Sequence, residues 1–181
     1  MIERYGEAEP VLPLVDLSRI AQADALQTDW PEVDAIIGNP PFLGAKLLRP
    51  SLGDDYVDWL VRQFGVGVKD LCVYWFRRAH EHLQPEQRAG LVGTNSISQT
   101  TGRLASLAYI ASTGGVITDA VSSQKWPGDA KVHVSIVNWV KSPSRNPTDF
   151  TLDDQVVSGI APNLRAGDAA GLEVGSIAEN R

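Results

Sequence analysis

The tetrapeptide Asn39-Pro40-Pro41-Phe42 contains the residues whose types and spacing are best suited to chemistry. Its two prolines fix φ at about −65° and remove two backbone N–H donors. The side-chain oxygen of Asn39 and the carbonyl oxygen of Pro40 are then neighbouring acceptors, which suit a planar –NH2 group. Phe42 adds a flat face, and stacking a base on an aromatic side chain contributes about 1–3 kcal/mol. We interpret this Asn-Pro-Pro-Phe motif as a receptor for an amino group attached to a ring.

The motif directly follows a compact apolar run at residues 33–38, which predicts a strand buried on both faces, as in a parallel sheet. Open α/β sheets bind ligands beyond the carboxyl ends of their strands, so this position favours a binding site. Asn-Pro-Pro is also an ordinary turn that ends a strand, and the tetrapeptide alone does not separate the two interpretations.

Helices and strands alternate around the motif. Apolar residues at helical spacing, with Gly or Pro just beyond them, predict three helices, over residues 54–64, 70–83 and 103–111. Short apolar runs predict three further strands, over residues 89–94, 116–121 and 132–140. The last two strands are closely connected, which suggests an antiparallel pair at a sheet edge. We therefore expect an α/β fold with a mostly parallel sheet and an antiparallel final strand.

The composition is that of a globular domain, with 181 residues, 43% of them hydrophobic and 21% charged. No apolar run approaches the ~20 residues of a membrane span and the first residues are not a signal peptide, so we expect a cytoplasmic protein. The single cysteine, Cys72, excludes an internal disulfide and is interpreted as a small buried side chain. His80 and His82 are two apart on a helix and are expected on the surface, not as metal ligands.

Charge is unevenly distributed along the chain, whose net charge is −6. Residues 1–17 are acidic and interrupted by prolines, which predicts an irregular lead-in. Residues 142–147 resemble a linker, and few large apolar residues follow, so residues 142–181 are expected to be a linker and the start of a following region, or a loosely packed tail. The middle of the chain is mildly basic, which allows a phosphate-binding face there.

Residues 34–42 resemble the fourth motif of class I S-adenosylmethionine (SAM)-dependent amino methyltransferases, in the Asn-Pro-Pro-Phe form of adenine-N6 enzymes. Four other segments resemble motifs of the same family in the same order. They are residues 23–26 (third motif), 69–76 (fifth), 90–96 (sixth) and 126–134 (eighth). Together with Phe42-Leu43-Gly44-Ala45-Lys46, the combination looks most like the methyltransferase region of fused type IIG/IIL restriction–modification enzymes and covers about residues 12–161.

The resemblance implies a partial Rossmann-like class I methyltransferase sheet that methylates N6 of an adenine flipped out of double-stranded DNA. It implies SAM as the cofactor, with no metal needed for methyl transfer. The catalytic residues would be Asn39, Pro40, Pro41 and Phe42. The cofactor-binding residues would be Asp24, Asp70 and Leu71, and the base would stack on Phe42 and Trp126.

The glycine-rich first motif of the family has no counterpart in this sequence. The Gly65-Val66-Gly67 segment follows a helix and is interpreted as a helix stop. We therefore expect residues 18–141 to be the C-terminal part of a catalytic domain, followed by the start of a target-recognition region. We also expect the isolated chain to be inactive, to need the remainder of its parent polypeptide, and to self-associate through an exposed sheet edge.

Two alternatives remain open from the sequence. An Asn-Pro-Pro-aromatic motif also serves enzymes that methylate a glutamine side chain in a protein or an RNA base, since each presents a similar –NH2 group. The chain could instead be a non-catalytic fragment that binds nucleic acid or a partner.

Overall fold

The structure is a computed structural model that describes residues 20–126, 132–145 and 147–167, and the lead-in at 1–17 lies outside these ranges. Its strands are β1 (Ala35–Gly38), β2 (Arg88–Thr94), β3 (Gly115–Lys125), β4 (His133–Lys141), β5 (Phe150–Leu152) and β6 (Gln155–Val157). Its helices are α1 (Ala45–Leu52), α2 (Asp54–Phe64), α3 (Leu71–His82), α4 (Thr100–Ala105) and α5 (Leu107–Ser112), with a 3-10 turn at Asn95–Ser98. Within these ranges, none of the helices has the length and apolar character of a membrane span.

The six strands form one mixed sheet in the order β1-β2-β4-β3-β5-β6. Strand β1 is parallel to β2, and β4 is antiparallel to both β2 and β3. Because β5 is parallel to β3, strands β1, β2, β3 and β5 share one direction, while β4 and β6 run the opposite way. The α/β, Rossmann-like class and the antiparallel strand are thereby confirmed.

The predicted edge position of β4 is wrong, because β4 lies between β2 and β3. Its side chains Val137, Trp139 and Val140 are buried. Burial of apolar side chains stabilises the fold, and a central strand buries more of them than an edge strand does. A short connection identifies a neighbouring strand, but it does not show what pairs on the other side.

Strand β1 was predicted to be buried on both faces, and this prediction is also wrong. In the described part of the chain β1 pairs only with β2, and the side chain of Ile37 is 89% exposed. An apolar run leads to burial only where other elements pack on it. None of the described residues forms a strand on the side of β1 that faces away from β2.

The predicted helices agree with the structure where apolar spacing is regular. Helix α2 has the predicted bounds and ends at Gly65, whose φ of 63° is left-handed and whose N–H donates to the Val61 carbonyl at 3.0 Å. The helix predicted over 103–111 is instead two short helices, α4 and α5, separated by Ser106. The buried Ser106 hydroxyl donates to the carbonyls of Gly102 and Ile97, at 2.8 and 3.1 Å, which competes with continuous helix geometry.

The main core lies between the sheet and α3. Phe76 and Trp139 stack there with ring centroids 5.6 Å apart and an interplanar angle of 21°. Cys72 is fully buried, as predicted, and burial raises the pKa of its thiol. The amino end of the sheet is joined to α3 by Lys141, whose Nζ donates to the carbonyls of His80 and Leu83 at 2.8 and 2.6 Å.

His80 is not on the surface, which corrects the prediction from its spacing. Its side chain is 1% exposed, its Nε2 lies 3.4 Å from the Thr113 carbonyl oxygen, and its Nδ1 has no partner among the described residues. Burial, together with the Lys141 ammonium group, lowers the pKa of His80 to about 4. The ring is therefore neutral at physiological pH.

Residues 147–167 pack on the sheet and do not form the loosely packed tail that was considered. Phe150 and Leu152 alternate along β5 with both side chains buried, and Ile160 and Leu164 join the same core. The segment has few large apolar residues, but these four are all buried. The assignment of residues 142–181 to a following region stays a prediction.

Candidate active site

The Asn-Pro-Pro-Phe motif lies where β1 ends. Because β1, β2 and β3 share one direction, the segments that follow Gly38, Thr94 and Lys125 all leave the sheet at the same edge. We call it the carboxyl edge. It brings together segments that the family resemblance assigned to the fourth, sixth and eighth motifs.

The motif is accessible and is not enclosed in the core. Asn39 and Pro41 are exposed, and Pro40 is buried. The Asn39 side chain makes no hydrogen bond to any of the residues that the structure describes. Residues 39–41 line one end of an open, mostly apolar cavity of about 430 Å³ that runs along β1 and is walled by Trp30 and Trp75.

Phe42 and Trp126 lie side by side at this edge. Both rings are half-buried, with centroids 6.2 Å apart and an interplanar angle of 86°. The backbone N–H of Trp126 donates to the Val132 carbonyl at 2.9 Å, which holds the tryptophan at the end of the β3–β4 pair. The two residues predicted to stack on a base are therefore neighbours. The rest of the predicted eighth-motif loop, residues 127–131, lies outside the described residues.

Asp70 connects three segments of the site. One carboxylate oxygen accepts the N–H of Ala45 at 2.9 Å, and the other accepts the Thr94 hydroxyl at 3.0 Å. Asp70 occupies the N-cap position of α3 but makes no side-chain cap bond to that helix. Its neighbour Leu71 is buried and donates its N–H to the Leu43 carbonyl at 2.9 Å, just after the motif. Both side chains thus have structural partners, and their contact with a cofactor stays a prediction.

Asp24 lies in an exposed turn. One of its carboxylate oxygens accepts the N–H of Leu26 at 2.9 Å, and the carboxylate also accepts a hydrogen bond from the Tyr56 hydroxyl. Burial raises the pKa of Tyr56, and the nearby Asp24 carboxylate adds to the shift. Ala25, the next residue, lines the same cavity as Asn39. The predicted third motif and the Asn-Pro-Pro-Phe motif are thus at one cavity.

Arg78 fastens this turn to α3, a role that nothing in the sequence pattern indicated. Its guanidinium group donates to the carbonyls of Leu26, at 2.8 Å, and Thr28. It also lies over the Trp30 ring, 5.0 Å from the centroid, in a cation–π contact. The Trp30 indole N–H donates to the Ala25 carbonyl at 2.7 Å and closes the turn. Because the partners are backbone carbonyls, no residue type marks them in advance.

The residues present fit part of a SAM molecule. Trp30 and Trp75 line the cavity with apolar ring surface, and the exposed Asp24 carboxylate lies in the turn that also contains the lining residue Ala25. The Gly65–Gly67 segment does not provide a nucleotide loop, since Gly65 ends α2. The described residues therefore offer partners for the adenosine end of the cofactor and no glycine-rich loop for its methionine end.

Comparison with known proteins agrees with this architecture. DNA methyltransferase A of Bacillus subtilis (strain 168) is 26% identical over 183 residues, which cover 92% of this chain and 21% of that protein. The solved structure of the type IIL restriction–modification enzyme MmeI in complex with DNA is similar in fold, with a TM-score of 0.68 and 24% identity over 82% of this chain and 22% of that one. The chain thus spans about a fifth of the length of each of these relatives.

The family comparison covers most of the sequence. Residues 1–150 match the family described as "MmeI, DNA-methyltransferase domain". The match includes the Asn-Pro-Pro-Phe motif, the Asp24 turn, the start of α3 and Trp126, which are the elements assembled around the carboxyl edge. The chain belongs to the MmeI DNA-methyltransferase domain family.

Proposed function

We propose that this chain is part of a restriction–modification enzyme that transfers a methyl group from SAM to N6 of an adenine in double-stranded DNA. The observation that carries the proposal is the carboxyl edge itself. An exposed Asn39 amide with no hydrogen bond to any described residue lies at the cavity, and the centroid of the nearby Phe42 ring is 6.2 Å from that of Trp126. An amide oxygen beside an aromatic pair suits a flat ring that carries an amino group.

Each residue of the motif has a defined part in this proposal. The adenine leaves the duplex, because its N6 is inaccessible while the base is stacked. Phe42 and Trp126 hold the base, and the Asn39 side-chain oxygen and the Pro40 carbonyl accept the two N6 hydrogens. Pro40 and Pro41 keep the two acceptors in place at low entropic cost. The chain therefore acts by positioning and by stabilising charge at N6, without a covalent protein intermediate.

SAM supplies an activated methyl group when it is bound. Among the residues of this chain, the exposed Asp24 carboxylate would hold the cofactor, and Asp70 and Leu71 shape the segment beside it. The adenine-N6 specificity rests on the Asn-Pro-Pro-Phe motif, and the DNA substrate rests on the family to which the chain belongs.

Replacement of Asn39 tests the proposal most directly. In the full-length protein, we expect Asn39→Ala to reduce methyl transfer by at least about a hundredfold, since one lost hydrogen bond to developing charge has that scale. SAM affinity, measured by calorimetry, should change less than twofold. Asn39→Asp keeps an acceptor oxygen and should retain measurable transfer. Equal losses of transfer and SAM binding in Asn39→Ala would contradict the assigned role.

The choice of substrate needs its own measurement. Labelled SAM is offered with duplex DNA, with RNA and with a glutamine-containing peptide, and the products are identified by mass spectrometry. N6-methyladenine in DNA is the expected product, and methylglutamine or a methylated RNA base would replace the proposal with one of the two sequence alternatives. We further propose that the 181-residue chain alone does not methylate DNA, so methyl transfer by that chain would contradict this part.

A further inference from the structure

A second, polar groove shares no lining residue with the cavity at Asn39. It has a volume of about 540 Å³ and is formed by the segment after β2 and by a turn near the end of the described chain. The residues that line it are Ser98, Gln99, Thr100, Arg103, Asn163 and Arg165. All six side chains are polar, two are cationic, and none is acidic.

The charge of this groove differs from that of the chain as a whole. The chain has 22 acidic against 16 basic residues, so a surface with two arginines and no carboxylate is not the average surface. In the described part of the chain, neither Arg103 nor Arg165 has a carboxylate within 4.0 Å, whereas Arg49 pairs with Asp54 and Asp58. The guanidinium donors of the groove are therefore not neutralised by any described residue.

The two sides of the groove are held by the fold. Gln99 and Arg103 are joined by a backbone hydrogen bond of 2.9 Å at the start of α4. On the other side, the Arg165 N–H donates to the Asn163 side-chain oxygen at 3.2 Å, and its carbonyl accepts the Ala161 N–H at 3.0 Å. Leu164, between Asn163 and Arg165, is buried in the main core and anchors the turn.

We propose that this groove binds a phosphodiester of the DNA backbone through Arg103 and Arg165. Planar guanidinium groups suit phosphate oxygens, and the hydroxyl and amide groups of the lining provide further neutral donors. The segment containing Arg103 leaves β2 at the carboxyl edge, the edge at which the Asn-Pro-Pro-Phe motif follows β1. The inference rests on the proposed function, because it takes DNA as the partner.

The test uses the full-length protein with three matched variants, Arg103→Gln, Arg165→Gln and the double variant. Arg62→Gln is the control, because Arg62 is exposed on α2, has no ion pair among the described residues and does not line the groove. Binding to a fluorescent non-specific duplex is measured by anisotropy between low and physiological salt. Thermal unfolding verifies that each variant is folded.

We expect each single variant to weaken duplex binding about fivefold to tenfold and to lower the slope of log K against log salt by about 0.9 per arginine. Arg62→Gln should leave both quantities unchanged. An unaltered affinity and salt slope in the folded double variant would overturn the proposal. So would an equal effect of Arg62→Gln, which would indicate diffuse electrostatics.

Two additional measurements separate the possible failures. ATP is a second probe, and if the arginine variants weaken ATP binding but not duplex binding, the groove serves a free nucleotide and the proposal is overturned. Methyl transfer by the wild-type protein is assayed in parallel. Methylation of adenine together with an unchanged salt slope in the double variant rejects only the groove, whereas a reduced slope without methylation rejects only the proposed function.

Discussion

Two of the Phe–Trp pairs among the described residues have the same chemistry and different environments. Phe76 and Trp139 stack at 5.6 Å and are buried completely between α3 and the sheet. Phe42 and Trp126 meet edge to face at 6.2 Å, and both are only half-buried at the carboxyl edge. The first pair has its ring faces covered by the protein, and the second leaves ring surface available to a ligand. The comparison teaches that two pairs of the same chemistry differ in accessibility, and that only the pair at the carboxyl edge keeps ring surface for another molecule.

Truncation of the buried pair gives the largest expected effect. Phe76→Ala should lower the free energy of unfolding by about 3–5 kcal/mol, because it removes a fully buried ring and leaves a cavity. The measurement is chemical denaturation followed by circular dichroism. Phe42→Ala is the matched control and should lose less than about 1 kcal/mol, because it is half-buried. Similar losses in both variants would remove the distinction between the two pairs.

The core around α3 should also depend on pH through His80. Its folded pKa of about 4 lies below the ordinary value of 6.5, so the unfolded chain binds a proton that the folded chain does not. The contribution is fully present above pH 6.5 and is lost as the pH falls toward 4, by about 3 kcal/mol at most. Lys141, which lies near the ring, disfavours its protonation, and Glu81 favours it to a smaller extent.

His80→Gln tests this pH dependence. The variant has its own stability, so the relevant quantity is the slope of the unfolding free energy between pH 6.5 and 4. That slope should be shallower than in the wild type, because glutamine does not bind a proton. The carboxylates of the two proteins titrate alike, so they do not contribute to the difference. Parallel slopes would show that His80 protonates equally in the folded and unfolded chains.

Substitution of Phe42, in the half-buried pair at the carboxyl edge, should change activity more than stability. In the full-length protein, Phe42→Ala should reduce methyl transfer about 10- to 100-fold, which corresponds to the loss of ~1–3 kcal/mol of base stacking. Phe42→Tyr keeps the flat ring and should retain most of the activity. Transfer is measured with labelled SAM and duplex DNA. Full activity of the Phe42→Ala variant would show that the base does not depend on stacking against Phe42.

The smallest effect on folding is expected at the open edge of β1. Ile37→Lys should change the unfolding free energy by less than about 0.5 kcal/mol, because Ile37 is 89% exposed. We propose that the isolated chain self-associates through this edge, since an uncovered apolar strand edge pairs with other strands and lysine opposes such pairing. Sedimentation should therefore show oligomers of the wild type and monomers of the variant. A monomeric wild type would contradict the proposal.

Local patterns in the sequence were sufficient for some elements. The apolar spacing and Gly65 defined α2 with its correct bounds, because a helix and its stop depend on neighbouring residues. The Asn-Pro-Pro-Phe motif was likewise found at a strand end, and Phe42 and Trp126, paired only through the family resemblance, are in contact. These features depend on residue types at fixed spacing.

Features that depend on distant partners were missed. The central place of β4 and the exposure of β1 follow from which strands pair, which no single segment encodes. The burial of His80 follows from α5 and from Lys141, both far along the chain. Arg78 binds backbone carbonyls of the Asp24 turn, and every residue type has such carbonyls. The roles of Asn39, Asp24 and Asp70 in chemistry stay predictions until the experiments above are done.

The carboxylate of Asp70 has a consequence for protein engineering. It joins the N–H of Ala45, just after the motif, to the hydroxyl of Thr94, at the end of β2. Any residue except proline at position 45 keeps that N–H, so a chimera that imports only the residues around Asn39 would retain this bond. The bond between Asp70 and Thr94 joins two side chains, so recombination breakpoints should keep these two residues from one parent. Libraries that vary Asp70 and Thr94 jointly should yield more folded members than libraries that vary them one at a time.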